Sequence, residues 1–381
     1  MAQRILITNS NIRKSFDVIS IIKRRFKDIP LLLGVDKNNV FDKLHYKLLF
    51  RSKVELIRTY DENLFCEDLF LLSNKYKKDE IIFVPIEEIT VSFFYVFLNK
   101  FGKCNFNFLL PNINVFNLLR DKFRLNEYCE CNNVSAPKFY DIKEIPLLGE
   151  EKYPLLLKPC IGSGSRGLIR LFSKSDFTKE VEEKIKKEPY LVQELIENGK
   201  DVKGAFFLYE NGRFVNAYTH ERIRTSPPEG GVTVYSKFSE NQTIISIGKE
   251  LLNKIGWSGL IMLEFLYDTK VDNYKIIEAN PRIWGSIMLS EYSNANLLTN
   301  YINICLGRNI CCDVVKKDSY IRWFFPVDIL NFLKERGRIK DFWRFENTCF
   351  INWSFSNKFS SLYFNFVSIF SLKNIMRFFR K

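Results

Sequence analysis

Leu260-Ile261-Met262-Leu263-Glu264-Phe265 and, after a polar break, Lys275-Ile276-Ile277-Glu278-Ala279-Asn280-Pro281-Arg282 are two apolar runs, each with a carboxylate in its middle. Burying a carboxylate inside a strand costs several kcal/mol unless a cation or hydrogen bonds compensate it. Between them, Asp268-Thr269-Lys270-Val271-Asp272-Asn273 reads as a hairpin loop, so Glu264 and Glu278 are expected on neighbouring antiparallel strands. Side chains alternate with period two, which puts Glu278, Asn280 and Arg282 on one face. Two carboxylates and an amide oxygen form a hard, all-oxygen donor set suited to magnesium bridging a nucleotide's phosphates. Arg282 adds a charge-assisted donor for phosphate oxygens. Strands with acids exposed at an edge are the better account of either glutamate alone; the whole constellation favours the metal.

The 381 residues suffice for two or three packed lobes, and 46% apolar with 27% charged residues describes a folded globular chain. Only two histidines occur, His45 and His220, which excludes most histidine-based zinc sites and leaves His220 as the one imidazole near a motif. Nine cysteines without a CxxC pair match no zinc ribbon, and no secretory pattern follows Met1, so a reduced, cytoplasmic protein is expected. Of the net charge of +13, more than half lies in the last 51 residues, where ten Lys/Arg stand against three Asp/Glu. Such a basic, aromatic tail suits an anionic surface, such as the inner face of a membrane or a charged polymer.

Arg4–Asn9, Ile29–Asp36 and Ile81–Ile86 read as strands alternating with helical segments such as Ile12–Phe26, the rhythm of a parallel αβ sheet. No GxGxxG follows the first strand, so a dinucleotide site there is not expected. Asn114–Tyr128 reads as one helix, Ser175–Lys186 as another with Ser175 as N-cap, and Leu289–Leu306 as a third. Val202–Leu208 and Arg213–His220 flank Glu210-Asn211-Gly212, a hairpin signal. Phe359–Leu372 is too short and broken to span a membrane.

Gly162-Ser163-Gly164-Ser165-Arg166-Gly167 lies between two strand-like runs and suits a flap over phosphates, because glycine lets backbone N–H groups approach an anion. An unliganded Gly-Ser hairpin is the alternative. Lys158, inward on the preceding strand, favours the flap, since a buried lysine needs a negative partner. Gln193-Glu194-Leu195-Ile196 can offer backbone groups to an adenine edge, and Asp201 can hold ribose hydroxyls or be a solvated loop acid.

In this order these pieces resemble the ATP-grasp superfamily over about Asn114 to Tyr292, beginning with Asp121-Lys122 and ending with Glu278-Ala279-Asn280-Pro281-Arg282. The first lobe, ending in Phe83-Val84-Pro85-Ile86-Glu87-Glu88, is similar to the domain preceding carbamoyl-phosphate-synthase-like members. The resemblance implies an α/β and α+β chain: a Rossmann-like parallel-sheet domain at 1–112, an ATP-grasp small lobe at 113–190, a large lobe at 191–318 and a basic, aromatic extension at 319–381. It implies that Lys122, Lys158 and the Gly162–Gly167 loop contact the phosphates of ATP and that Gln193–Ile196 reads adenine. Asp201 would bind ribose, and Glu264, Glu278 and Asn280 would hold two Mg²⁺ ions, with Mn²⁺ as a substitute. Arg282 would face the transferred phosphoryl group.

The implied chemistry is a carboxylate–amine ligase: phosphoryl transfer to a carboxylate, then capture of the acyl phosphate by an amine, with no histidine or cysteine nucleophile. Arg222 and Arg224, in Thr219–Gly231, share a face if extended and are expected to clamp the substrate carboxylate, unless the loop is simply a solvated basic one. A small-molecule or glycan-linked acid, in surface-polysaccharide or secondary-metabolite synthesis, is the expected substrate; no nucleic-acid partner is expected. The rival expectation is a non-catalytic nucleotide-binding module recruited to an anionic or membrane surface by its basic end.

Overall fold

The computed structural model describes residues 2–36, 52–162, 167–196, 202–226, 232–323, 328 and 346–350. The chain divides into two compact units, Met1–Leu109 with Ile223–Phe238 and Arg282–Lys381, and Leu110–Arg222 with Ser239–Pro281.

The first unit is built on a parallel sheet. Its strands β1 (Ala2–Ile7), β2 (Leu31–Val35), β3 (Lys53–Leu56), β4 (Asp79–Val84) and β5 (Phe106–Asn107) lie in the order β3-β2-β1-β4-β5. Helices α1 (Arg13–Arg25), α2 (Glu62–Lys75) and α3 (Glu88–Phe101) connect them. Strand β2 and the C-terminal parts of β1 (Ile5, Leu6, Ile7) and β4 (Ile81, Ile82, Phe83, Val84) are buried apolar runs because both faces of a parallel sheet are covered there. The later segments of this unit fasten onto the same sheet: Ile283 N–H donates to the Pro85 carbonyl at 2.9 Å, and Tyr301 OH to that of Phe83 at 2.8 Å.

The second unit opens with α4 (Ile113–Arg120) and α5 (Lys122–Cys131), not one helix. Asp121 is extended between them and its carboxylate accepts from the N–H groups of Phe123 and Arg124, starting the second helix afresh. An antiparallel sheet follows, ordered β6 (Phe139–Tyr140), β9 (Tyr190–Glu194), β7 (Leu155–Pro159), β8 (Ile169–Leu171). The helix expected from Ser175 is α6, confined to Lys179–Ile185 and capped by Thr178. Upstream, Ser173 and Asp176 form a capping box over a short 3-10 turn instead. Strands β10 (Lys203–Glu210) and β11 (Arg213–Ser226) pair as expected about Asn211-Gly212, both at positive φ. With α7 (Gln242–Lys254), β13 (Gly259–Asp268) and β14 (Asn273–Asn280), they enclose a core of Phe207, Trp257, Ile261, Leu263, Phe265, Ile276 and Ala279. Strand β12 (Val232–Ser239) crosses the boundary between the units in sequence.

Back in the first unit, α8 (Ile287–Tyr292) and α9 (Leu297–Cys305) replace the single helix expected over 289–306. Asn294 and Asn296 take left-handed backbone between them, and the buried Glu291 side chain accepts from the N–H groups of Leu298 and Thr299. Strand β15 (Tyr320–Arg322) pairs with β12 and with β16 (Thr348–Phe350). Most of 319–381, including the basic tail, lies outside the described residues. Among the described residues no helix is long and apolar enough to cross a membrane, and all nine cysteines are free.

Helix α1 buries Asp17, whose Oδ2 has no hydrogen-bond partner among the described residues. Burial pushes its carboxyl up to about 8 against the pull of Arg13. A raised carboxyl pKa makes folding favour the protonated form, so stability is fully present below the ordinary carboxylate range and falls as pH rises toward about 8. Asp17→Asn is therefore expected to melt above the wild type at pH 8 and close to it near pH 4, read by thermal unfolding across that range. Equal melting curves at pH 8 would refute the assignment.

Candidate functional site

The site is set by the register of β13 on β14. Glu264 pairs directly with Glu278 and Met262 with Asn280, but on the other side Phe265 pairs with Ile276, so Ile277 is an inserted residue. The bulge lets Ile276 and Ala279, three residues apart, both enter the hydrophobic core. Opposite that core, Met262, Glu264, Leu266 and Asp268 alternate along β13, with Lys275, Glu278 and Asn280 on the same side of β14.

Three cations from elsewhere in the second unit reach this face. Lys158, on β7, donates from Nζ to the carbonyl of the inserted Ile277 at 2.7 Å. Burial, with the neighbouring Lys122 adding to it, lowers its ammonium to about 8, against the attraction of Glu278 and Glu264. Lys122, buried at the start of α5, donates from Nζ to the Gly162 carbonyl at 2.7 Å and lies 3.8 Å from Glu278 Oε1. Arg222, on β11, is ion-paired to Glu264 through Nη2, while its buried Nε has no partner among the described residues. Both glutamates of the hairpin are thus met by a positive group.

Gly162 and Gly167 stand at φ 130° and 78°, backbone that favours glycine. A Cβ on Gly167 would lie 2.9 Å from Pro159 Cγ, so no other residue fits that end of the loop without a shift. Ser163, Gly164, Ser165 and Arg166 lie outside the described residues, as does Asp201.

On β9, Gln193 pairs with Leu156, two residues before Lys158. Its side chain is buried and its Oε1 has no hydrogen-bond partner among the described residues. A buried carboxamide left unsatisfied is costly, and a ligand that donates to it would remove the cost. The N–H of Glu194 donates to the Lys138 carbonyl and that of Leu195 to the Pro154 carbonyl, each at 2.9 Å. Ile196 follows, nearly buried. The protein's oxygen donors on the hairpin are two carboxylates and one amide; among the described residues no three His, Cys, Asp or Glu side chains cluster as a metal site. Magnesium is commonly held by one or two carboxylates, with phosphate oxygens and water completing its shell. The donor set and the orphaned amide fit a nucleotide with its metal.

Arg282, past the end of β14, belongs to the first unit, where its Nη1 donates to the Ile283 carbonyl at 3.0 Å. Lys14 Nζ donates to the same oxygen at 3.1 Å and pairs with Glu87 at 2.8 Å. Also in that unit, Arg224 grips Asp328 through Nε at 2.7 Å and Nη2 at 3.0 Å, and Arg322 binds the same carboxylate. Both guanidinium groups lie over the Tyr235 ring. His220 is buried edge-on against Phe206, and burial followed by Arg222 drives its imidazole well below the usual range, so it stays neutral. A proton-transfer role does not suit it.

A family model described as an ATP-grasp domain matches residues 119–286. That stretch, under half of the chain, is similar to an ATP-grasp domain. Every site residue from Lys122 to Arg282 falls within that span. The C-terminal section of the carbamoyl phosphate synthase large chain of Methanopyrus kandleri is 26% identical over 168 residues, which cover 42% of this chain and 31% of that relative. The match therefore spans under a third of the relative's length. Among solved structures, the biotin carboxylase domain of Hydrogenobacter thermophilus 2-oxoglutarate carboxylase, solved with MgADP, ADP and bicarbonate, is similar at TM-score 0.64 and 16% identity, over 84% of this chain and 73% of that one. N5-carboxyaminoimidazole synthetase from Staphylococcus aureus gives 0.60 and 14%, over 84% and 80%. L-amino acid ligase from Bacillus licheniformis gives 0.56 and 16%, over 80% and 74%. At these identities the likeness shows the fold: an ATP-grasp fold preceded by a Rossmann-like parallel sheet.

Within the ATP-grasp domain, reading the sequence missed Lys275, because a lysine next to an apolar run looks like a solvated strand end. Outside that domain it missed Arg322, because nothing periodic marks the stretch after Tyr320. The Gln193 carboxamide offers a direct check of the site. If it is kept for a ligand and not for the fold, Gln193→Met removes an unsatisfied buried group and should raise stability by about 1 kcal/mol in urea unfolding. Destabilisation of that size would mean that the amide is already satisfied.

Proposed function

We propose that the chain is an ATP-dependent ligase that joins a carboxylate to an amine through an acyl phosphate. The observation that carries the reading is the direct pairing of Glu264 with Glu278, with Asn280 two residues on and Lys122 and Lys158 reaching the same face. Five groups of these types on one face are redundant for folding, since apolar side chains would pack there at lower cost. They make sense as a cradle for a polyphosphate.

In this reading Gln193–Ile196 holds the adenine, Lys122 and Lys158 take phosphate oxygens, and the Gly162–Gly167 loop covers them and keeps water from the reactive intermediate. Glu264, Glu278 and Asn280 would hold the magnesium ions, whose chemistry is to neutralise the phosphate oxygens. A substrate carboxylate oxygen attacks the terminal phosphorus, the bond to the bridging oxygen breaks and ADP departs. The amine then attacks the acyl carbon, losing a proton, and phosphate leaves. Arg282 is assigned to the transferred phosphoryl group. Arg222 is assigned to holding Glu264 in place before the metal arrives.

The decisive experiment is ADP release from ATP and Mg²⁺ with pooled carboxylic acids and amines. Glu278→Gln is expected to lower turnover by roughly 10²–10³-fold, the loss typical of removing one fixed charge-stabilising group, with an unchanged circular dichroism spectrum. Wild-type turnover in that variant would remove the site assignment. Nucleotide binding with no turnover on any acid would instead favour a non-catalytic module.

A further inference from the structure

Lys275 has no role in the assignments above, yet it is buried on the same face of β14 as Glu278, three residues before it. Its Nζ meets two carboxylates, Glu194 Oε1 at 2.6 Å and Asp268 Oδ2 at 2.7 Å. The acids belong to different elements. Glu194 ends β9, and the same Oε1 accepts the backbone N–H of Lys138 at 2.8 Å. Asp268 ends β13, where its Oδ1 accepts the N–H of Lys270 at 2.9 Å. One ammonium therefore ties the end of β9 to both strands of the hairpin that carries Glu264 and Glu278.

Neutralising Asp268 would account for one of these contacts, not both. Glu194 is the more exposed partner, with 27% of its side chain in water, and has no need of a buried lysine for its own solvation. What the second contact fixes is geometry. Glu194 lies inside the four-residue segment assigned to the base, and backbone bonds to Lys138 and Pro154 already hold that segment to the small antiparallel sheet. Lys275 holds it to β14. Since Lys275 and Glu278 share that strand, the separation between the base end and the phosphate end is set by three residues of β14. Burial opposes the Lys275 charge, yet its contacts with Asp268 and Glu194 raise the ammonium above its ordinary value, so it is a fixed cation at working pH.

We propose that Lys275 is a positioning residue for the nucleotide: through Glu194 it holds the Gln193–Ile196 segment at a set distance from Glu278, and thereby sets both affinity for ATP and preference for adenine over guanine. The inference rests on the nucleotide reading given above. A site that must be held within a fraction of an ångström loses discrimination when a supporting contact goes, even where no ligand atom touches that contact.

The test is binding of ATP, GTP and inorganic tripolyphosphate, each with Mg²⁺, to the full chain by calorimetry. Lys275→Met is expected to weaken ATP about tenfold, narrow the ATP-to-GTP ratio and leave tripolyphosphate unchanged; Lys275→Arg, which reaches both acids, should restore most of the loss. Asp268→Asn breaks the other contact alone and should lower the melting temperature while keeping the ATP-to-GTP ratio. If Lys275→Met does not fold, Glu194→Ala reads the same contact, because Lys275 then keeps Asp268. Equal weakening of ATP and tripolyphosphate, or an unchanged ratio, would overturn the proposal. A wild-type chain that binds tripolyphosphate and no nucleotide would take down the ATP reading and this inference together.

Discussion

One inserted residue governs the site. Strict alternation along β14 would put Ile276 on the side of Glu278, and either an isoleucine would leave the core or a carboxylate would enter it. The slip at Ile277 avoids both outcomes, because Ile276 and Ala279 stay in one core while Lys275, Glu278 and Asn280 stay outside it. It also presents the carbonyl of Ile277 to Lys158, so the bulge that orients the acids recruits the cation beside them.

Charge compensation follows from that geometry. Glu264 and Glu278 sit on adjacent strands, where like charges directly opposite one another repel. The fold answers with Arg222 on one acid, Lys122 near the other and Lys158 between them in its electrostatic influence. Breaking a fully buried pair costs about 3–5 kcal/mol; the hairpin acids are 15% and 19% exposed, so the cost here is smaller but not negligible. The arrangement stores positive charge where polyphosphate would need it, and it leaves a cation beside both Glu264 and Glu278.

Much of this was legible in the sequence, because buried acids in apolar runs violate the pattern around them. Glu264, Glu278 and the intervening hairpin followed from two strand-like runs and a polar loop, and Lys158 from its place on the strand before a glycine-rich stretch, whereas Lys122 came only from the resemblance to the ATP-grasp superfamily. What could not be read depends on contacts distant in sequence. Asp121 splits a helical pattern that periodicity alone continues, and Glu291 caps a helix by accepting from the N–H of Leu298, seven residues further on. Ion pairs such as Lys275 with Glu194 have no local signature, since nothing in either segment names the other. The bulge was equally invisible: a one-residue slip shows only when both strands and their shared core are seen together.

The first unit is drawn from three separated stretches of chain, whereas the second closes at Pro281. During synthesis from the amino end, the parallel sheet would emerge early yet lack the N–H of Ile283 for its Pro85 carbonyl and the hydroxyl of Tyr301 for Phe83 until the later stretch appears. The nested unit would complete its own hydrogen bonds first. Order of emergence and order of completion are therefore opposite in the two halves, and a nascent chain halted soon after Pro281 would carry a finished insert inside an unfinished host.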